Sequence, residues 1–212
     1  MVAIMSDAQE FAIRDIIRQT WLKLYNKGPK KKKHFFIIGI KNTPADTLSK
    51  LKEEQMLYND LAFLEDHVES YNNLARKTAD TMRFMSKHYL FDYLLKVDTD
   101  SFVRIKPLID YLIVLNHPRL YLGYMDGKSP TGGGYVLGRE LVEFIANNFH
   151  LLKFFQNEDV SVATWIAGID VKYIHDVRFD TEWDSRGWSK KIPILVYPSP
   201  YALAARSVPA LP

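Results

Sequence analysis

Asp98 and Asp100, separated by Thr99, directly follow the apolar stretch Tyr93-Leu94-Leu95-Lys96-Val97. In extended backbone, residues two apart point the same way, so this pair offers two hard oxygen donors on one side. Such donors suit Mg²⁺ or Mn²⁺, ions that can bridge to a diphosphate. The same residues also fit an acidic turn capping the next helix. A second acidic pair stands in Asn157-Glu158-Asp159-Val160. Acids after an Asn N-cap complement the helix dipole, and a carboxylate there could instead take a proton from an attacking hydroxyl. Arg14 and Arg18 share one helix face. With Lys77 they offer cations suited to phosphate, or ordinary surface charge. His175 follows a strand-like run and reads either as a metal ligand or as a hydrogen-bonded structural residue. Gly132-Gly133-Gly134 allows close backbone approach to a ligand, or a flexible turn.

These groups need a scaffold, and the hydropathy pattern supplies one. Val2 to Met5, Phe35 to Ile40, Leu61 to Leu64, Tyr93 to Val97, Leu120 to Tyr124, Tyr135 to Leu137 and Val171 to Ile174 read as strands. Helical stretches alternate with them: a helix capped by Ser6 or Asp7 and running to about Leu24, Ala45 to Tyr58, Asn72 to about His88, Ile105 to Leu115, Arg139 to about Asn148, and one from about Asn157. Strands alternating with helices imply a mostly parallel sheet covered on both faces. In such sheets ligands bind beyond the carboxyl ends of the strands, where Asp98 and Asp100 fall.

Composition narrows the functions. The 212 residues, 47% apolar and 25% charged, suit one domain with a substantial core. The formal charge of +3 and the single basic run Lys30 to Lys33 fall short of a nucleic-acid interface. There is no cysteine, which excludes disulfides, cysteine metal sites and cysteine nucleophiles. No apolar run has the length of a membrane span, so any anchor or targeting segment would have to lie upstream of this chain. From about residue 191 to 212 prolines crowd the sequence, and an irregular tail is expected after a domain over residues 1–190.

Taken in order, five segments resemble one family. Arg14-Asp15-Ile16-Ile17-Arg18-Gln19-Thr20-Trp21, Glu69 to Thr78, Lys96-Val97-Asp98-Thr99-Asp100, Gly133-Gly134-Tyr135-Val136-Leu137 and Glu158-Asp159-Val160 are similar to the successive motifs of the β-1,3-galactosyltransferases, glycosyltransferase family 31. The resemblance covers about residues 2–188. Gly132 to Leu137, Ser161 to Trp165 and His175 to Glu182 are most similar to members that add the second galactose of the glycosaminoglycan–protein linkage.

The resemblance implies a GT-A fold, a Rossmann-like α/β sheet with helices on both faces. It also implies inverting transfer of galactose from UDP-galactose to a sugar 3-hydroxyl on a proteoglycan core, at the lumenal side of the Golgi membrane. Asp98 and Asp100 would hold Mn²⁺ (or Mg²⁺), with His175 as a candidate third ligand. Arg14, Arg18, Lys77, Asp98 and Thr99 would lie at the nucleotide, and Asp159, with Glu158 beside it, would be the base. Three departures stand out: Thr99 replaces the middle acid of the triplet, Ser129-Pro130 runs almost directly into the glycine-rich strand, and Tyr197 follows Ile194-Leu195-Val196 where a late histidine is expected. These leave room for N-acetylhexosamine transfer, or for an inactive domain that binds nucleotide or a partner.

Overall fold

The computed structural model describes residues 1–25, 33–126, 129–179 and 195–196. Strands β1 (Val2–Met5), β2 (His34–Gly39), β3 (Leu61–Leu64), β4 (Tyr93–Asp98), β6 (Leu120–Asp126), β7 (Ser129–Gly138) and β8 (Lys172–His175) form one sheet in the order β3-β2-β1-β4-β7-β6-β8. Strand β7 runs antiparallel to both of its neighbours, while the other pairings are parallel. A separate two-stranded ribbon joins β5 (Phe102–Val103) to β9 (Leu195–Val196). Thus the one described stretch of the tail expected to be irregular is a short strand.

Period-two alternation divides the apolar residues between two cores. Ile4, Phe36, Ile38, Leu95, Val97 and Val136 face one side. There they pack on Ile17 of α1 (Phe11–Gln19), Trp21 of α2 (Trp21–Tyr25), Leu51 of α3 (Ala45–Tyr58) and Leu108 of α5 (Ile105–Leu115). Ala3, Phe35, Ile37, Leu94 and Leu137 face the other, against Met82 of α4 (Leu74–His88), Ile145 of α6 (Arg139–Asn147) and Val162 of α7 (Glu158–Trp165). Both faces are therefore covered, which is why β2 and β4 read as continuous apolar runs.

The helix expected to reach Leu24 is interrupted. The Thr20 hydroxyl donates to the Ile16 carbonyl at 2.7 Å, and Thr20 leaves helical geometry with φ −101° and ψ −106°. Its start also differs from the expected cap: α1 begins after Glu10, and Ser6 and Asp7 remain in the loop that leaves β1. The glycine run 132–134 lies inside β7 instead of forming a turn. Gly134 sits so close to β4 that a methyl group there would lie 2.5 Å from the Lys96 carbonyl oxygen. The close approach that this glycine permits is to a neighbouring strand.

Register then defines the crevice. Met5 pairs with Asp98, so the loop after β1 and the turn after β4 emerge side by side. From β1 the chain moves outward to β2, whereas β4 lies on its other flank. This reversal of strand order opens a crevice at the carboxyl ends, where ligands of such sheets bind. A mainly apolar groove of about 830 Å³, lined by Val2, Leu95, Leu108 and Leu112 among others, lies at the opposite strand ends and carries no acid pair.

Candidate active site

The first wall of the crevice is the Ser6–Asp7 loop, and cations hold it from beneath. Arg14 is fully buried. Its guanidinium donates to Glu54 at 2.9 and 2.7 Å, to the Ser6 hydroxyl at 2.9 Å and to the Asp7 carbonyl at 2.7 Å. Arg18 donates to Glu54 at 2.7 Å and twice to Asp60 at 2.8 Å. Lys77 donates to the Ser6 carbonyl at 2.8 Å and to Glu69 at 2.5 Å. Burial pulls the Lys77 ammonium below the usual lysine value, against the pull of Glu69, Asp7 and Glu10. The three cations expected at the nucleotide thus have donors engaged by carboxylates and loop backbone. Arg14→Ala is expected to destabilise the protein by about 3–5 kcal/mol, because Glu54 loses its bidentate partner in the interior. Urea unfolding followed by circular dichroism measures this.

The second wall is the turn after β4. The Thr99 hydroxyl donates to both carboxylate oxygens of Glu10, at 3.1 and 3.2 Å. Glu10 in turn accepts from the Ser6 hydroxyl at 3.0 Å and the Asp7 amide at 2.8 Å. Thr99, expected at the nucleotide, therefore ties the two walls together. An acid at this position would set a second negative charge against Glu10, which gives the departure at the middle of the triplet a physical reason. Asp98 is 39% exposed and lies 3.0 Å from the Lys96 ammonium, while Asp100 is exposed. Burial alone would lower the Lys96 pKa, but Asp98 and Glu158 more than offset it and raise it above the usual value.

The third wall is the amino end of α7. Asn157 occupies the N-cap position without a side-chain capping bond. The two acids that follow differ in surroundings. Glu158 accepts from the Tyr135 phenol, from the Thr78 hydroxyl at 3.1 Å and from Lys96 at 3.3 Å. Burial, with the negative charge of Glu158, drives the Tyr135 pKa far above its usual value, so the phenol stays a donor. Asp159 is half-buried and accepts from the Val160 amide at 2.8 Å. Among the described residues Asp159 thus accepts from its neighbour's amide, whereas both oxygens of Glu158 are engaged.

His175 does not join this group. It is exposed at the end of β8, with Nδ1 3.1 Å from the Met125 backbone and its ring against Tyr124. Among the described residues no three His, Cys, Asp or Glu side chains gather as a metal-binding set. His175, expected as a third ligand, bonds the Met125 backbone here. Asp98 and Asp100 still fit a divalent ion as a donor set. Mg²⁺ in particular is bound through one or two carboxylates and completed by substrate phosphates and water. Pattern alone did not bring out Lys96, Tyr135, Thr78 and Glu10. Lys96 and Tyr135 stood inside recognised motifs, but only the pairing of β4 with β7 shows them converging on Glu158.

A sheet of this order, with acids at its reversal point, is that of the GT-A glycosyltransferases. The fold matches the galactosyltransferase LgtC, solved with donor and acceptor sugar analogues, at a TM-score of 0.53 and 11% identity over 92% of this chain and 86% of that one. Residues 12–131 and 119–177 match the family model described as Galactosyltransferase, and the chain belongs to that family. It is 30% identical to mouse β-1,3-galactosyltransferase 6 over 88% of this chain and 65% of that protein. It is 29% identical to the human protein named UDP-GalNAc:β-1,3-N-acetylgalactosaminyltransferase 2, over 59% of this chain and 30% of that protein. The chain thus spans less than two thirds of the length of either relative.

Proposed function

We propose that this chain transfers galactose from UDP-galactose to the 3-hydroxyl of a galactose acceptor, with inversion, in building the glycosaminoglycan–protein linkage. The observation that supports this reading is the contrast at the start of α7: Glu158 is anchored by Tyr135, Thr78 and Lys96, while Asp159 beside it bonds the Val160 amide. Asp159 takes the proton of the acceptor hydroxyl. The oxygen bonds to the galactose anomeric carbon from the face opposite UDP, and the bond to the UDP oxygen breaks with its electron pair leaving on the diphosphate. Asp100 and Asp98 would hold a divalent ion, which would supply Lewis-acid stabilisation to the charge gathered on the UDP leaving group. Arg14 and Lys77 act at one remove, by fixing the Ser6–Asp7 loop against which the nucleotide lies, and Arg18 shares Glu54 with Arg14 behind them.

A second reading is transfer of an N-acetylhexosamine, favoured by the similarity to the human N-acetylgalactosaminyltransferase. The lumenal Golgi setting and the proteoglycan acceptor belong to the proposal. Among the described residues no helix is long and apolar enough to cross a membrane. The test supplies UDP-galactose, UDP-N-acetylgalactosamine and UDP-N-acetylglucosamine in turn, with Mn²⁺ and a galactosyl-xylose acceptor, and analyses products by mass and linkage. A β-1,3-digalactosyl product is expected. Preference for an N-acetylated donor moves the assignment to the second reading, and absence of transfer from all three sinks both.

A further inference from the structure

Lys96 sits on β4 two residues before Asp98, buried beneath the crevice. Its ammonium reaches Asp98 at 3.0 Å and Glu158 at 3.3 Å, so one cation touches both the strand-end acid and the first residue of α7. An ammonium carries three donors and can serve both carboxylates. Glu158 also accepts from Thr78 of α4 and Tyr135 of β7. Tyr135 is itself held edge-on by Tyr121, with ring centroids 5.5 Å apart and planes at 81°. Elements from both halves of the sheet therefore meet at a single carboxylate, and Lys96 extends that junction to Asp98. Without the cation two carboxylates would face one another across the gap it now fills.

We propose that Lys96 is a positioning residue that fixes the separation between Asp98, on the donor side, and the base-bearing end of α7. It touches neither substrate. Through Glu158 it holds the helix start so that Asp159 meets the acceptor hydroxyl while the donor lies against the turn after β4. This inference rests on the reading of Asp159 as the base. It goes further in naming what couples the two sides of the site. Thr78 and Tyr135 retain Glu158 when Lys96 is lost, so α7 stays docked but shifts relative to Asp98. A displacement of about 1 Å costs about 10²-fold in rate.

The test compares Lys96→Met and Lys96→Arg, each alone and combined with Glu158→Gln. Calorimetry measures UDP affinity with saturating Mn²⁺, and steady-state assays give kcat and both KM values for transfer to galactosyl-xylose. Lys96→Met is expected to keep UDP affinity within about threefold while kcat falls about 10–100-fold. Lys96→Arg recovers part of that kcat. Glu158→Gln costs less in the Lys96→Met background than alone, because the two act as a unit. An unchanged kcat, additive losses, or a parallel fall of kcat, UDP affinity and melting temperature in both Lys96 variants overturns the proposal. If Lys96→Met does not fold, Lys96→Arg decides by the same split between kcat and UDP affinity. An unsubstituted protein that neither binds UDP with Mn²⁺ nor transfers sugar overturns the underlying reading together with the inference. A working parent with any of the adverse variant results overturns the inference alone.

Discussion

Asp100→Ala is expected to abolish the Mn²⁺ dependence of UDP binding. A diphosphate in this crevice meets walls whose cations are already committed: Arg14 and Arg18 to Glu54 and Asp60, Lys77 to Glu69, Lys96 to Asp98 and Glu158. In the proposed reading a divalent ion would bring positive charge to the nucleotide, and Asp100, exposed beyond the end of β4, would be a ligand to it together with Asp98. Loss of even a supporting residue around a metal costs about 10–100-fold in affinity, so loss of the ligand itself should reach at least that. Titration calorimetry of UDP with and without Mn²⁺ measures the difference. Because Asp100 is exposed, the variant should keep the parent's melting temperature. Equal UDP affinity in the two conditions for the unsubstituted protein, or a Mn²⁺ response retained by the variant, would exclude Asp100 from this role.

Asp159→Asn is expected to lower kcat by about 10²–10⁴-fold, the range of a lost general base, with UDP affinity held. Asparagine keeps the size of the side chain and can still accept from the Val160 amide, so α7 should start as before. What it cannot do is take a proton. Single-turnover transfer to galactosyl-xylose, set beside the UDP isotherm, separates the two effects. Glu158→Gln is the informative contrast: that residue acts through its bonds to Lys96, Tyr135 and Thr78, so its loss should disturb position and stability as well as rate. Full transfer by Asp159→Asn would remove the residue from the base role and leave the proton without an assigned acceptor.

Much of the scaffold could be read from the sequence because the sheet is buried on both faces. Phe35 to Ile38 and Leu94 to Val97 have no polar side chain but Lys96, and helix α5 at Ile105–Leu115 falls where its apolar pattern placed it. Errors arose where tertiary contact overrides local preference. Of the two readings of the glycine run, the flexible turn does not form: the run lies in β7, where Gly134 passes close to the Lys96 carbonyl. The first helix breaks at Thr20 through one side-chain bond to the Ile16 carbonyl.

The positions of the candidate acids were legible in the sequence, and the partners of the candidate cations were not. Asp98, Asp100, Glu158 and Asp159 stand at element ends, where position alone gives them an outlook. Arg14, Arg18 and Lys77 were read as facing a ligand because arginine and lysine suit phosphate. Their partners, Glu54, Asp60 and Glu69, lie on other elements, and no spacing rule connects Arg14 with Glu54 forty residues away. Thr99 shows the same limit from the other side, since its partner Glu10 lies far along the chain.

The web around Ser6 and Asp7 is assembled from the chain's own groups before any nucleotide arrives. Arg14, Lys77 and Glu10 fix that loop from three directions, so docking a donor there freezes little further backbone motion. Such a surface gives up little conformational entropy on binding. It also contributes little long-range attraction for a diphosphate, because Asp7, Glu10, Glu54 and Glu69 outnumber the cations Arg14 and Lys77 within it. In the proposed reaction, donor capture by this protein would follow the local supply of divalent ion more closely than the ionic strength around it.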